Sequence, residues 1–209
     1  RDLSEDLCAG LHAWDLFVNT LKAAKGYDPL IVFVEGNHDF RFRRQYRFDA
    51  RTKRLLRGPK WMVNQTPGVL WLPMEEIACI DGVHYSHYFT APMTGRALGG
   101  TALHKLNRLK FSFTMGHQQG KDTAEQYLAN GRVIRGVVAG SFYQHDEDYK
   151  GPQGNLHWRG LIYKHEVRDG QYDLMEVSMD YLRRRYGGPR VLADGKYRAG
   201  EFAVEEDES

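Results

Sequence analysis

Two cysteines among 209 residues, Cys8 and Cys79, leave no basis for a disulfide framework. They stand far apart and lack CxxC spacing, so reduced thiols in a cytoplasmic protein are expected. No run approaches the ~18–20 apolar residues that a membrane span needs, so no membrane partner is expected. The opening residues, Arg1-Asp2-Leu3-Ser4-Glu5-Asp6, lack the apolar core of a signal peptide. Internal repeats and low-complexity linkers are missing too. Charge commits the chain to no partner class, because 29 basic side chains stand against 27 acidic ones. An initiating Met is also lacking: the chain opens on Arg1 and runs almost directly into a helix, as a trimmed, processed or fragmentary chain would.

What is present suits one sizeable core, with 42% hydrophobic residues. One domain over residues 1–190 is expected, followed by a partly disordered tail at 191–209. Leu7, Leu11, Trp14, Val18 and Leu21 recur at helical spacing, with Ser4 as N-cap and Lys22, Lys25 and Gly26 at the end. The unbroken run Leu30-Ile31-Val32-Phe33-Val34 predicts a strand covered on both faces. A helix is expected over residues 40–57, irregular chain from Trp61 to Pro73, and a short helix from Ala102 to Leu109. Strands are expected at Phe111–Met115 and Arg132–Ala139. Asp81-Gly82 and Asp169-Gly170 each predict a tight β-hairpin, since both turns need positive φ angles. The fold class that follows is α/β, with two mixed sheets stacked between helices.

Polar groups cluster at three strand ends: Asn37-His38-Asp39, His87 and Gly116-His117. Imidazole nitrogens and an amide oxygen are good ligands for first-row divalent metals. Strand ends hold such ligands firmly, and Gly36 and Gly116 are read as the points where the backbone bends before them. His84 competes with His87, but residues three apart on a strand face opposite sides. His12, His104, His145, His157 and His165 are read as surface or core residues, and Asp146-Glu147-Asp148 as a solvated turn.

Gly36-Asn37-His38-Asp39 after an apolar strand resembles the GNH(D/E) block of the calcineurin-like metallophosphoesterases. Val83 to His87 resembles the next block of that family, a strand ending in His, and Gly116-His117-Gln118-Gln119 partly matches its Gly-His-x-His block. Gly140-Ser141-Phe142, Asp148-Tyr149 and Trp158-Arg159-Gly160-Leu161 resemble a subgroup common in phages and bacteria. The likeness runs from about Leu3 to Met179. It implies an αββα sandwich, N-terminally incomplete here, that hydrolyses phosphate esters with metal-activated water. Asn37, His87 and His117 would be ligands to two divalent ions (Mn, Fe, Zn or Mg). His38 would be general acid or transition-state stabiliser, and Arg41 would bind a phosphate oxygen.

Two departures stand out. The family's opening Asp-x-His and Gly-Asp blocks have no counterpart, so the chain is expected to begin just downstream of them. Gln119 replaces the final His. Without the bridging carboxylate, weak binding of the second metal is expected. The basic stretch holds Arg41, Arg43, Arg44, Arg47, Arg51, Lys53, Arg54 and Arg57, with Phe40, Phe42, Tyr46 and Phe48 interleaved. It reads as an amphipathic helix with an aromatic core face, or as a nucleic-acid-tracking surface. The alternatives to a phosphoesterase are therefore a DNA or RNA nuclease of the same superfamily, or an incomplete, inactive module.

Overall fold

The computed structural model describes residues 3–48, 58–91, 93–143, 145–147, 150–187, 190–191 and 197–198. Arg51, Lys53, Arg54, Arg57, Asp148 and residues 205–209 lie outside the described residues. The chain divides into two compact units, Arg1–Glu76 and Ile77–Ser209.

Unit one opens with α1 (Leu3–Ala23), which begins one residue ahead of Ser4. Its periodic face carries the contacts: Val18 is buried, and Leu11, Trp14 and Leu21 are half-buried. Trp14 meets Phe33 edge-on at 5.6 Å, and its indole N–H donates to Thr66 Oγ1 at 2.8 Å. Phe33 lies in β1 (Ile31–Val34) and stacks on Trp71 at 5.1 Å. Trp71 belongs to β2 (Val69–Leu72), which pairs parallel to β1.

The expectation of irregular chain between Trp61 and Pro73 is therefore corrected. A short helix, α3 (Pro59–Asn64), and β2 occupy that stretch. Pro59 sits in the first helical turn, where a missing N–H costs nothing. Gly68, at φ 78°, turns the chain into the apolar run of β2. A second correction concerns β1. With β2 as its one strand neighbour among the described residues, all four of its residues stay half-buried rather than covered on both faces.

Unit two is built on a five-stranded mixed sheet in the order β3-β4-β5-β7-β6. Its strands are β3 (Ala78–Ile80), β4 (Val83–Ser86), β5 (Phe113–Met115), β6 (Lys121–Tyr127) and β7 (Val133–Ala139). β4, β5 and β7 run parallel, and the outer strands β3 and β6 are antiparallel to their neighbours. β6 has no apolar stripe in its sequence, which is why periodicity does not reveal it. It is an edge strand held by pairing with β7.

Helix α4 (Ala102–Leu109) covers one face of this sheet. Ala102 and Leu106 pack there with Phe89, Phe113, Met115, Ile134 and Val138, each worth about 1.5–3 kcal/mol when a large side chain is buried. The hairpin β8 (Gly160–Arg168) and β9 (Gln171–Ser178) covers the other face. There Val83, Val137 and Tyr172 are buried with Tyr85, Ile162 and Val167 around them. Both Asp-Gly turns form as read, with φ of 49° and 80° at Asp81 and Gly82 and 50° and 80° at Asp169 and Gly170. The two turns lie against each other: the Gly170 N–H donates to the Asp81 carbonyl at 2.8 Å, and a Cβ at Gly82 would stand 2.5 Å from the Gly170 nitrogen. Two short helices, α5 (Gly151–Asn155) and α6 (Met179–Tyr186), follow the loops. Arg190–Val191 (β10), at the junction of the expected domain and tail, pairs with Tyr197–Arg198 (β11) in the tail. The architecture is mixed α/β with several sheets.

Candidate functional site

In unit one, β1 is followed directly by Glu35, whose side chain is 1% exposed. Its carboxylate accepts from Arg43 Nη1 at 2.8 Å and from the Met74 N–H at 2.9 Å. One buried anion thus ties the end of β1 to the following helix and to the chain leaving β2. That helix, α2 (Asn37–Phe48), starts on the candidate residues themselves rather than at residue 40. The Phe40 N–H donates to the Gly36 carbonyl at 2.9 Å, which makes Gly36 the N-cap. Asp39 reaches back to accept from the Gly36 N–H at 2.9 Å, half of a capping box. Burial raises the Asp39 carboxyl above its usual range, the Gly36 hydrogen bond opposes this, and the Glu35 charge adds to it.

Asn37 is half-buried at this helix start, whereas His38 and Arg41 are exposed. A cleft of 270 Å³ opens beside Glu35 and Asp39, walled by Phe42, Tyr46, Trp61 and Trp71. The amphipathic face expected for the basic helix is realised in part among its described residues: Phe40, Phe42 and Tyr46 are half-buried, while Arg41, Arg44 and Arg47 are exposed. None of them is fully buried, and Phe48 is 80% exposed.

In unit two, β4 and β5 are parallel neighbours with Ser86 opposite Met115. The residues that follow therefore leave the sheet at the same edge. His117 Nδ1 lies 3.2 Å from His87 Nε2, with the rings 5.1 Å apart and nearly perpendicular. Tyr88 flanks both, its ring 5.8 Å from His87 and 5.2 Å from His117. His84 is placed elsewhere: its ring packs 4.1 Å from Phe111, and its Nδ1 lies 3.2 Å from the Ser112 carbonyl. The bend before His117 is made by His117 itself, at φ 63°, and neither Gly36 nor Gly116 has a positive φ. A non-glycine residue in this region costs on the order of 1–3 kcal/mol.

The separation of the two imidazole nitrogens tests the fit to a metal. Two nitrogens each ~2.1 Å from one ion stand about 3.0 Å apart at a right angle and about 3.4 Å apart at a tetrahedral angle. The observed 3.2 Å lies between these values, so the pair fits two adjacent ligand positions. The same distance suits a hydrogen bond with one ring nitrogen protonated. Among the described residues no group of three or more His, Cys, Asp or Glu side chains converges as a metal cluster.

Sequence reasoning missed two buried charges, Glu35 and Lys105, and a half-buried one, Lys164. Lys105, 0% exposed on α4, donates to Gln118 Oε1 at 2.8 Å and to the Gly100 carbonyl. Its spacing of three from Ala102 and four from Leu109 puts it on the apolar helix face, which is the signal that could have found it. Lys164 follows Ile162 on the inner face of β8, where its ammonium meets Tyr85 Oη at 3.2 Å and the Thr114 hydroxyl. Glu35 follows the apolar run of β1 directly. Beyond β7, His157 Nε2 lies 2.8 Å from Ser141 Oγ, and its Nδ1 lies 3.0 Å from the Gly154 carbonyl. His157 is thereby a staple between two loops.

No family model matches the chain, and neither a curated protein nor a solved structure matches it.

Proposed function

We propose that this chain is a metal-dependent phosphoesterase module of the calcineurin-like kind, with the αββα sandwich that goes with it. His87 and His117 are two ligands of a divalent ion in unit two, and the resemblance alone adds Asn37 as a ligand and His38 as the group that serves the leaving oxygen. The observation that carries this reading is the 3.2 Å approach of two imidazole nitrogens at adjacent parallel strand ends. The resemblance of Gly36-Asn37-His38-Asp39 to the GNH(D/E) block supplies the reaction class.

When bound, a divalent ion supplies Lewis acidity toward the phosphoryl group and lowers the pKa of water. To hold it, His117 Nδ1 and His87 Nε2 must offer lone pairs, so the ring protons sit on His117 Nε2 and His87 Nδ1. His38, exposed in the first turn of α2, can donate a proton to the leaving oxygen and regain it from solvent. Arg41, also exposed, offers a planar cation to a phosphate oxygen.

Cobalt titration followed by its visible absorption, together with manganese-supported hydrolysis of bis(p-nitrophenyl) phosphate, tests the proposal. His87→Ala and His117→Ala should each weaken cobalt binding by 10-fold or more. His38→Ala should keep the affinity and lower turnover by about 10²-fold. Unchanged cobalt binding in both ligand variants would overturn the reading. Cleavage of single-stranded DNA in the same assay would move the substrate to polynucleotides.

A further inference from the structure

The loop bearing His117 closes on itself. The Gln118 N–H donates to the Gly116 carbonyl at 2.7 Å, and His117 lies between them at φ 63°. That is a γ-turn of the positive-φ hand, a rare and strained conformation for a residue with a side chain. Such strain persists only where the surroundings over-determine it.

Here the surroundings are the amino-terminal part of α4 and the loop before it. Lys105 is wholly buried, and its ammonium donates to Gln118 Oε1 at 2.8 Å and to the Gly100 carbonyl. Gln118 Nε2 donates to the same carbonyl at 3.3 Å, so the three groups form a closed triangle. Both acceptors of the ammonium are neutral oxygens. A methionine at this helix position would fill similar space without burying a charge, so packing alone does not account for the lysine. What the charge does is fix the residue after His117.

We infer that Lys105 is the positioning residue of the histidine pair: its buried ammonium, through Gln118, holds His117 in the turn that brings Nδ1 to 3.2 Å from His87 Nε2. The clamp stands on geometry, and only what the pair binds rests on the proposed function. His117 then arrives pre-formed, and the ligand does not have to order it.

The test uses the full chain with Lys105→Met, Gln118→Ala and Lys105→Arg. Cobalt affinity is read by calorimetry, and the imidazole ¹⁵N shifts of His87 and His117 are read by NMR without metal. Lys105→Met and Gln118→Ala should each lower cobalt affinity by about 10- to 100-fold, the range seen when a partner that orients a ligand is lost. Both should also move the His117 ring shifts, with Lys105→Arg recovering part of the affinity. Wild-type affinity and unmoved shifts in the folded variants would overturn the inference. Should Lys105→Met fail to fold, Gln118→Ala carries the test alone, since it leaves the buried lysine in place. If His87→Ala and His117→Ala bind cobalt as the wild type does, the metal reading fails instead. Unmoved His117 shifts in Gln118→Ala then overturn the clamp, and moved shifts uphold it.

Discussion

The two units bury charge in opposite ways. In unit one the buried group is an anion, Glu35, and a guanidinium and a backbone N–H meet it directly. In unit two the enclosed groups are cations, Lys105 buried and Lys164 half-buried, and what meets them is neutral. Lys105 rests on a carbonyl and a carboxamide oxygen. Lys164 rests on two hydroxyls and stands over the rings of Tyr85 and Tyr172 at 4.6 and 5.1 Å. Burial lowers both lysines below their ordinary range, Lys164 to about 8, while the Asp122 charge partly restores Lys105. The difference teaches where each charge acts. Glu35 holds three chain segments together, whereas the two lysines orient neighbouring polar groups without a counter-charge in contact.

The largest effect expected from this contrast is at Glu35. Glu35→Gln keeps the volume and can leave a carboxamide oxygen where Oε2 accepts from Arg43 and the Met74 N–H, but it removes the charge that strengthens both bonds. Loss of the buried charge-assisted bonds should cost about 3 kcal/mol in urea unfolding. Lys105→Met should cost far less, because replacing a buried ion by an apolar group of similar size is often neutral. A neutral Glu35→Gln beside a Lys105→Met that loses the fold would reverse the comparison.

A smaller effect should appear with pH. A lysine whose folded pKa lies near 8 and whose unfolded pKa lies near 10.5 binds fewer protons folded than unfolded between those values. Stability therefore rises with pH across that window, as the folded ammonium sheds its proton. Tyr85 and Tyr172 face Lys164, and burial holds both phenols above their usual range, so their contribution falls as pH rises past 10. The thermal midpoint should thus climb from pH 8 to about 9.5 and turn down above 10. Lys164→Met should flatten the climb. An equally steep climb in that variant would assign it to Lys105 instead.

How much of this was legible in the sequence depends on how local each signal is. α1 and the two Asp-Gly hairpins were readable, because a helical face or a positive-φ pair is written in adjacent residues. The Glu35–Arg43 pair was hidden, since nothing in a linear pattern says that a polar residue after a strand is buried. β2 was passed over beside Pro73, and β6 has no apolar stripe to read. For the candidate site, His87 and His117 were picked out as strand-end residues. Their meeting depends on β4 and β5 being parallel neighbours across 30 residues of sequence, which no local pattern encodes. The bend at 117 was assigned to Gly116 because glycine is the usual residue for it. The chain instead strains the histidine.

The smallest expected effect is also the one that separates the two histidine sites most sharply. His38 is the second residue of α2, where backbone angles are ordinary and a glycine only adds freedom to the unfolded chain. His38→Gly should cost about 0.5 kcal/mol. At His117 the sign should invert, because glycine takes a φ of 63° without strain. His117→Gly should therefore gain roughly 1 kcal/mol in urea unfolding, while removing one imidazole from the pair. A gain in stability at 117 together with a loss at 38 would mean that the γ-turn is kept for what its ring does. Equal losses at both sites would mean that the His117 ring is itself part of what holds the loop.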